Sequence, residues 1–138
     1  MEALGAAASI VSLVTAALQS AKVIQEILSG IKDGPTLINE LTSKLSDLRG
    51  LLPQLERLQS TSGSTIDELR RTTERCAGEL QMFEAKLAKL RNVPGDRRWA
   101  KVRKGLKTVL KEDEFSSMRR KLSDYMNSFT VQLGVIGA

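Results

Sequence analysis

A nucleophile, a base or a metal ligand is the first thing to look for, and this chain offers few. Among its 138 residues there is one cysteine, Cys76, and no histidine, so the commonest general base and the commonest metal ligand are both missing. A zinc centre would have to combine Cys76 with carboxylates alone, a poor donor set for that ion. The acidic pairs Asp67/Glu68 and Asp113/Glu114 fall at predicted helix starts, where capping and the helix dipole account for them. Neither "SGIKDGP" nor "VPGDRR" ends in the GKS/T of a phosphate loop or follows a strand. Cys76 itself lies on an apolar stripe between Thr73 and Leu80, which reads as a small buried hydrophobe; Arg75 next to it is the only local sign of an activated thiol. The sequence therefore predicts no enzyme, no cofactor and no metal. A lone cysteine also asks for no oxidising compartment, which makes the cytoplasm the expected location.

The elements that carry these residues all read as helices. Residues 2 to about 29 form one, alanine-rich and then amphipathic through Ile24, Ile27, Leu28 and Ile31. Pro35 suits the first turn of a second, reaching to about Ser60 with Leu37, Ile38, Leu41, Leu45, Leu48, Leu52 and Leu55 on one stripe and a kink expected at Pro53. After "STSGS", a capping box at Ser64 to Asp67 opens a third helix to about Asn92, striped by Ile66, Leu69, Thr73, Cys76, Leu80, Phe83, Leu87 and Leu90. "RRWAKVRKGLKTVLK" follows as a fourth, and "EDE" starts a fifth carrying Phe115, Met118, Leu122, Tyr125, Phe129, Leu133 and Ile136. No segment alternates like a strand. The expected fold is all-α: an antiparallel helical bundle of four to five helices with an apolar N-terminal helix, one domain over residues 1–138.

That apolar helix raises a question of its own. Ala3 to Ala21 carries no charge. A secretory signal would need basic residues ahead of the run, and only Glu2 stands there. The length suffices for a membrane span, but Leu4, Ile10, Val11, Leu13, Val14 and Leu18 together supply only about −2 to −3.5 kcal/mol on the insertion scale. Gly5, Ser9, Ser12, Thr15, Gln19 and Ser20 oppose them. The segment is apolar enough to leave water and too polar to commit to lipid alone.

Charge is unevenly spread. Residues 1–85 carry a net −3 and residues 86–138 a net +8. Most of the excess is Arg97, Arg98, Lys101, Arg103, Lys104, Lys107 and Lys111, with no acid among them and Trp99, Val102, Leu106 and Leu110 opposite on the helical wheel. The plain explanation is a bundle helix with a buried tryptophan and a solvated basic face. A basic amphipathic helix also suits an anionic membrane surface, where each cation contributes about 1 kcal/mol. Nucleic acid would use the same charges, but neither a recognition helix nor stacking aromatics accompany them, so it ranks below lipid.

Five phrases, "AAASIVSLVTAALQSAKVI", "LTSKLSDLRGLLPQLERL", "CAGELQMFEAKLAKLR", "RRWAKVRKGLK" and "MRRKLSDYMNSFTVQLGVI", resemble the fungal HeLo-like N-terminal domain. That domain heads STAND or NLR receptors and amyloid-signalling cell-death proteins, and is similar to the four-helix bundle of the mixed-lineage kinase domain-like protein. The resemblance covers nearly the whole chain. It implies a domain, cytoplasmic at rest and at the plasma membrane on activation, that self-oligomerises and permeabilises membranes through its apolar N-terminal helix. By the same implication, Leu4, Ile10, Val11, Leu13, Val14 and Leu18 are the membrane-targeting residues. The seven cations from Arg97 to Lys111 are then the contact to anionic membrane lipids. An NLR or amyloid signalling region, in cis or in trans, would drive the clustering, and this chain would be a domain excised from a longer protein. The alternative implied by the same family is a non-lytic adaptor module acting through protein–protein contacts.

Overall fold

A computed structural model describes residues 9–31, 36–57, 64–90, 93, 95–104 and 112–137. Within them the helices are α1 (Ile10–Ser29), α2 (Thr36–Glu56), α3 (Ser64–Leu87), α4 (Gly95–Lys104) and α5 (Glu112–Gly137), with one 3-10 turn at Ala88–Leu90. No strand occurs among the described residues.

α1 begins at Ile10, after Ser9; residues 2–8 of the expected first helix lie outside the described residues. Ser9 is extended (φ −75°, ψ 159°), and its hydroxyl accepts the Ser12 amide at 3.1 Å, satisfying one of the donors a helix start leaves open. Gly30 ends the helix, its N–H returning to Ile27 and Leu28 carbonyls. α2 runs through Pro53, which is exposed, and stops at Glu56, short of Ser60. α3 is already helical at Ser64, and Asp67 pairs with Arg70 at 3.3 Å one turn on. Pro35 lies outside the described residues, as do Leu106, Val109 and Leu110 of the expected fourth helix.

The four long helices form a ring in which α1 packs against α2 and α3, and α5 packs against α2 and α3. Consecutive long helices run antiparallel. Along α3 and α5, Lys86 meets Glu114 at 2.6 Å, Glu79 meets Lys121 at 3.2 Å, and Thr72 meets Gln132 at 3.5 Å, so one numbering rises as the other falls. Along α1 and α2, Gln25 donates its amide to the Thr42 carbonyl at 3.0 Å and to the Ser46 hydroxyl at 2.7 Å. Its Oε1 accepts from Arg49. The other two faces of the ring are parallel: α2 and α5 are tied by an Arg119–Glu40 ion pair near both N-terminal ends. Sequence neighbours α2 and α3 consequently lie across the ring from each other. Short loops argue for adjacency, and here the loop between them instead joins opposite corners.

One core fills the ring. From α1 it takes Ile10, Val14, Ala17, Ala21, Ile24, Ile27 and Leu28, from α2 Ile38 and the leucines from Leu41 to Leu55 on its stripe, with Leu37 half-buried beside them, and from α3 every apolar stripe residue from Ile66 to Leu87. Phe115, Met118, Leu122 and Phe129 come from α5. α4 closes the end where α1 and α3 finish and α5 begins. Trp99 sets its ring edge-on to Phe115 at 5.7 Å, and Phe83 does the same from another side at 5.6 Å.

Candidate functional site

Two regions carry the sequence-derived candidates. α1 is the one helix among the described residues with the length and apolarity to cross a bilayer, at 20 residues and mean hydropathy 1.2. Its candidate residues do not share one environment. Val14 is fully buried at 0% exposure and Ile10 nearly so, whereas Val11, Leu13 and Leu18 are half-buried. Leu4 lies outside the described residues. Ser12, Thr15, Gln19, Lys22 and Glu26 form the solvent face, at the three-four spacing of a helix. The helix is therefore amphipathic, apolar side inward.

Holding it there is worth a great deal. Ile10, Val14, Ile24, Ile27 and Leu28 are buried side chains that would lose about 1.5–3 kcal/mol each on exposure, or about 8–15 kcal/mol together. A domain's whole net stability is about 5–15 kcal/mol. Burial of this size ties α1 to the bundle in the structure described.

The basic region divides as well. Arg97 is exposed; Lys101, Arg103 and Lys104 belong to α4; Lys107 and Lys111 lie outside the described residues. Arg98 turns inward. Its guanidinium donates to the Ile27 carbonyl at 2.7 Å through Nη1 and to the Val93 carbonyl at 2.9 Å through Nε. It thereby adds a charged donor to a carbonyl whose backbone partner is the Gly30 N–H at the end of α1. Gly30 makes room for it: a Cβ there would stand 2.2 Å from Arg98 Nη1. Grouped by sequence with the lipid-facing cations, Arg98 is a clasp between α4 and the C-terminal end of α1. No sequence signal distinguishes it from Arg97, because the difference lies in which way the first turn of α4 faces.

Cys76 is fully buried, and burial, with Glu79 adding to it, pushes its thiol up to about 12. At neutral pH it is a protonated hydrophobe, as its stripe position implied. Burial likewise raises the Tyr125 hydroxyl, again with Glu79 contributing. No group of three or more potential metal ligands comes together among the described residues.

Helical architecture and sequence agree with one comparison. The family described as "Pigment biosynthesis cluster protein PigL N-terminal" matches residues 1–137, and the chain belongs to that family. No curated protein and no solved structure matches the chain significantly.

Proposed function

We propose that this domain is a HeLo-like cell-death effector that is kept soluble by packing α1 into its own bundle and acts on membranes when clustering releases it. The observation that carries the reading is the state of α1: a 20-residue helix apolar enough to span a bilayer, yet held with its apolar side in the core and its polar side in water. Such a helix is stored, and a lipid phase is the medium that could replace its core contacts. The resemblance of the five quoted phrases to HeLo-like domains supports the cell-death role and the attachment to an NLR-type or amyloid-signalling partner region. Exposed Arg97, with the remaining cations of the basic stretch, would hold the assembly on anionic lipid while α1 inserts. Self-oligomerisation would then let Ser12, Thr15 and Gln19 face one another or a lumen instead of acyl chains.

The test is dye release from anionic and neutral vesicles by the domain fused to a tetrameric coiled coil. Val11→Glu is the variant of choice, because Val11 is only half-buried and the fold tolerates the change better than at Val14. Leakage from anionic vesicles that Val11→Glu removes, at unchanged helicity, is the expected result. Leakage that persists in the folded variant would sink the reading.

One observation favours the adaptor alternative: Ile10 and Val14 already have partners, so α1 needs no membrane to be satisfied. An adaptor leaves vesicles intact even when clustered.

A further inference from the structure

A groove of about 560 Å³ runs between α1 and α2, lined by Thr15, Leu18, Gln19 and Lys22 from one helix and Ser46, Arg49, Gly50 and Pro53 from the other. No carboxylate lines it. At one end stand two cations, Lys22 on α1 and Arg49 on α2; at the other, Leu18 and Pro53 provide apolar surface. Lys22 has no ion pair among the described residues.

The polar end is pre-arranged from behind. Gln25, one turn beyond Lys22, holds Ser46 Oγ and the Thr42 carbonyl through its amide nitrogen and Arg49 through its oxygen. Because the Ser46 oxygen accepts from Gln25, its own proton is available to a ligand. Only one terminal nitrogen of Arg49 is taken by Gln25, leaving further N–H groups of the planar fork to meet an oxyanion. Gly50, one residue past Arg49, adds no side chain to the lining. Two cations, a donating hydroxyl and no competing acid describe a receptor for a phosphate group. Leu18 and Pro53 beside it describe what the phosphate should be attached to.

We propose that this groove binds the phosphate of a lipid headgroup, with the glycerol and first methylenes against Leu18 and Pro53. The lipid assignment builds on the membrane-acting reading, while the site itself stands on the groove. A ligand bridging Lys22 and Arg49 binds only while α1 lies on α2, so by linkage it holds the bundle in its packed form. First contact with lipid would thus dock the closed domain, and clustering would have to overcome this tie before α1 leaves.

The test is titration of the intact domain with dioctanoyl phosphatidic acid below its micelle concentration, with dioctanoyl phosphatidylcholine and inorganic phosphate in parallel, followed by amide chemical shifts. Expected are saturating shifts at Lys22, Ser46, Arg49 and Gly50 with phosphatidic acid, at least tenfold weaker with Lys22→Gln, and slower amide exchange along α1. Lys22 is exposed and unpaired, so that variant folds, and Arg49→Gln serves as the second arm. Equal affinity for inorganic phosphate would overturn the lipid assignment in favour of free phosphate. Absence of shifts, or shifts unaffected by both variants, would overturn the site. None of these readouts involves leakage, so a domain that binds phosphatidic acid here yet never permeabilises vesicles would refute the effector reading and leave the site standing.

Discussion

α1 and α4 carry the two features that set this sequence apart, apolarity and positive charge, and they meet the bundle in opposite ways. α1 lies along its full length against α2 and α3, and burial covers Ile10, Val14, Ala17, Ala21, Ile24, Ile27 and Leu28. α4 has ten residues and attaches at one end of the ring through Trp99, Val102 and the Arg98 clasp. Apolar surface is costly to expose, whereas charge is already solvated. Arg97 is therefore exposed in the fold as it stands, while the apolar side of α1 could meet another medium only by leaving the core. The clasp joins the two: Arg98, from the basic element, fixes the end of α1.

The sharpest way to break this contrast is one charge on each side of it. Val14→Asp places a carboxylate where the side chain has no exposure, and should cost about 4 kcal/mol or more, enough to abolish cooperative melting by circular dichroism. A variant that melts like the parent would show that α1 is not part of the core. Next in size is the clasp. Arg98→Gln leaves the Ile27 carbonyl without its charged donor, at about 1–3 kcal/mol, and should speed amide exchange at the C-terminal end of α1. Gly30→Ala should act through the same contact, so the two together cost less than the sum of each alone, whereas strict additivity would uncouple Gly30 from Arg98.

Alkali separates the regions in another manner. The Cys76 pKa is raised from 9.0 to about 12 in the fold, so the buried thiol contributes its full stabilisation below pH 9. Above that value the unfolded chain ionises first, and up to about pH 12 each pH unit removes about 1.4 kcal/mol. Urea melts at pH 8 and 10.5 should show the loss in the parent and a much smaller one in Cys76→Ala. The smallest effect on stability is expected from Arg97→Glu, within about 0.5 kcal/mol, because the side chain is exposed. Its effect should appear in binding to anionic vesicles, weakened about thirtyfold for a two-unit change in charge at about 1 kcal/mol per unit. A stability loss as large as that of Arg98→Gln would mean α4 is held through Arg97 too.

Much of this was legible in residue order. Apart from Leu37, which is half-buried, the stripes of α2 and α3 fill the core as their spacing implies, because a three-four spacing of leucines admits one face, and that face must be covered. Cys76 followed from the same spacing. Membership of Ile24, Ile27 and Leu28 in the core did too. Less legible was the start of α1: alanines favour helix wherever they stand, and Ser9 as a cap shows only in its backbone angles. The candidate groups divided for the same reason. Val11 and Val14, three residues apart, differ by about 60° around the helix axis, and Arg97 and Arg98 by about 100°.

By itself, then, the sequence determined an all-helical bundle, its buried stripes, an apolar first helix and a basic stretch near Trp99, because all of these are properties of local spacing and composition. Only the tertiary structure decided that α2 and α3 stand at opposite corners, that Arg98 closes α1 and that Lys22 and Arg49 face one groove. Those depend on which helix lies beside which and at what rotation, and no local pattern encodes a neighbour.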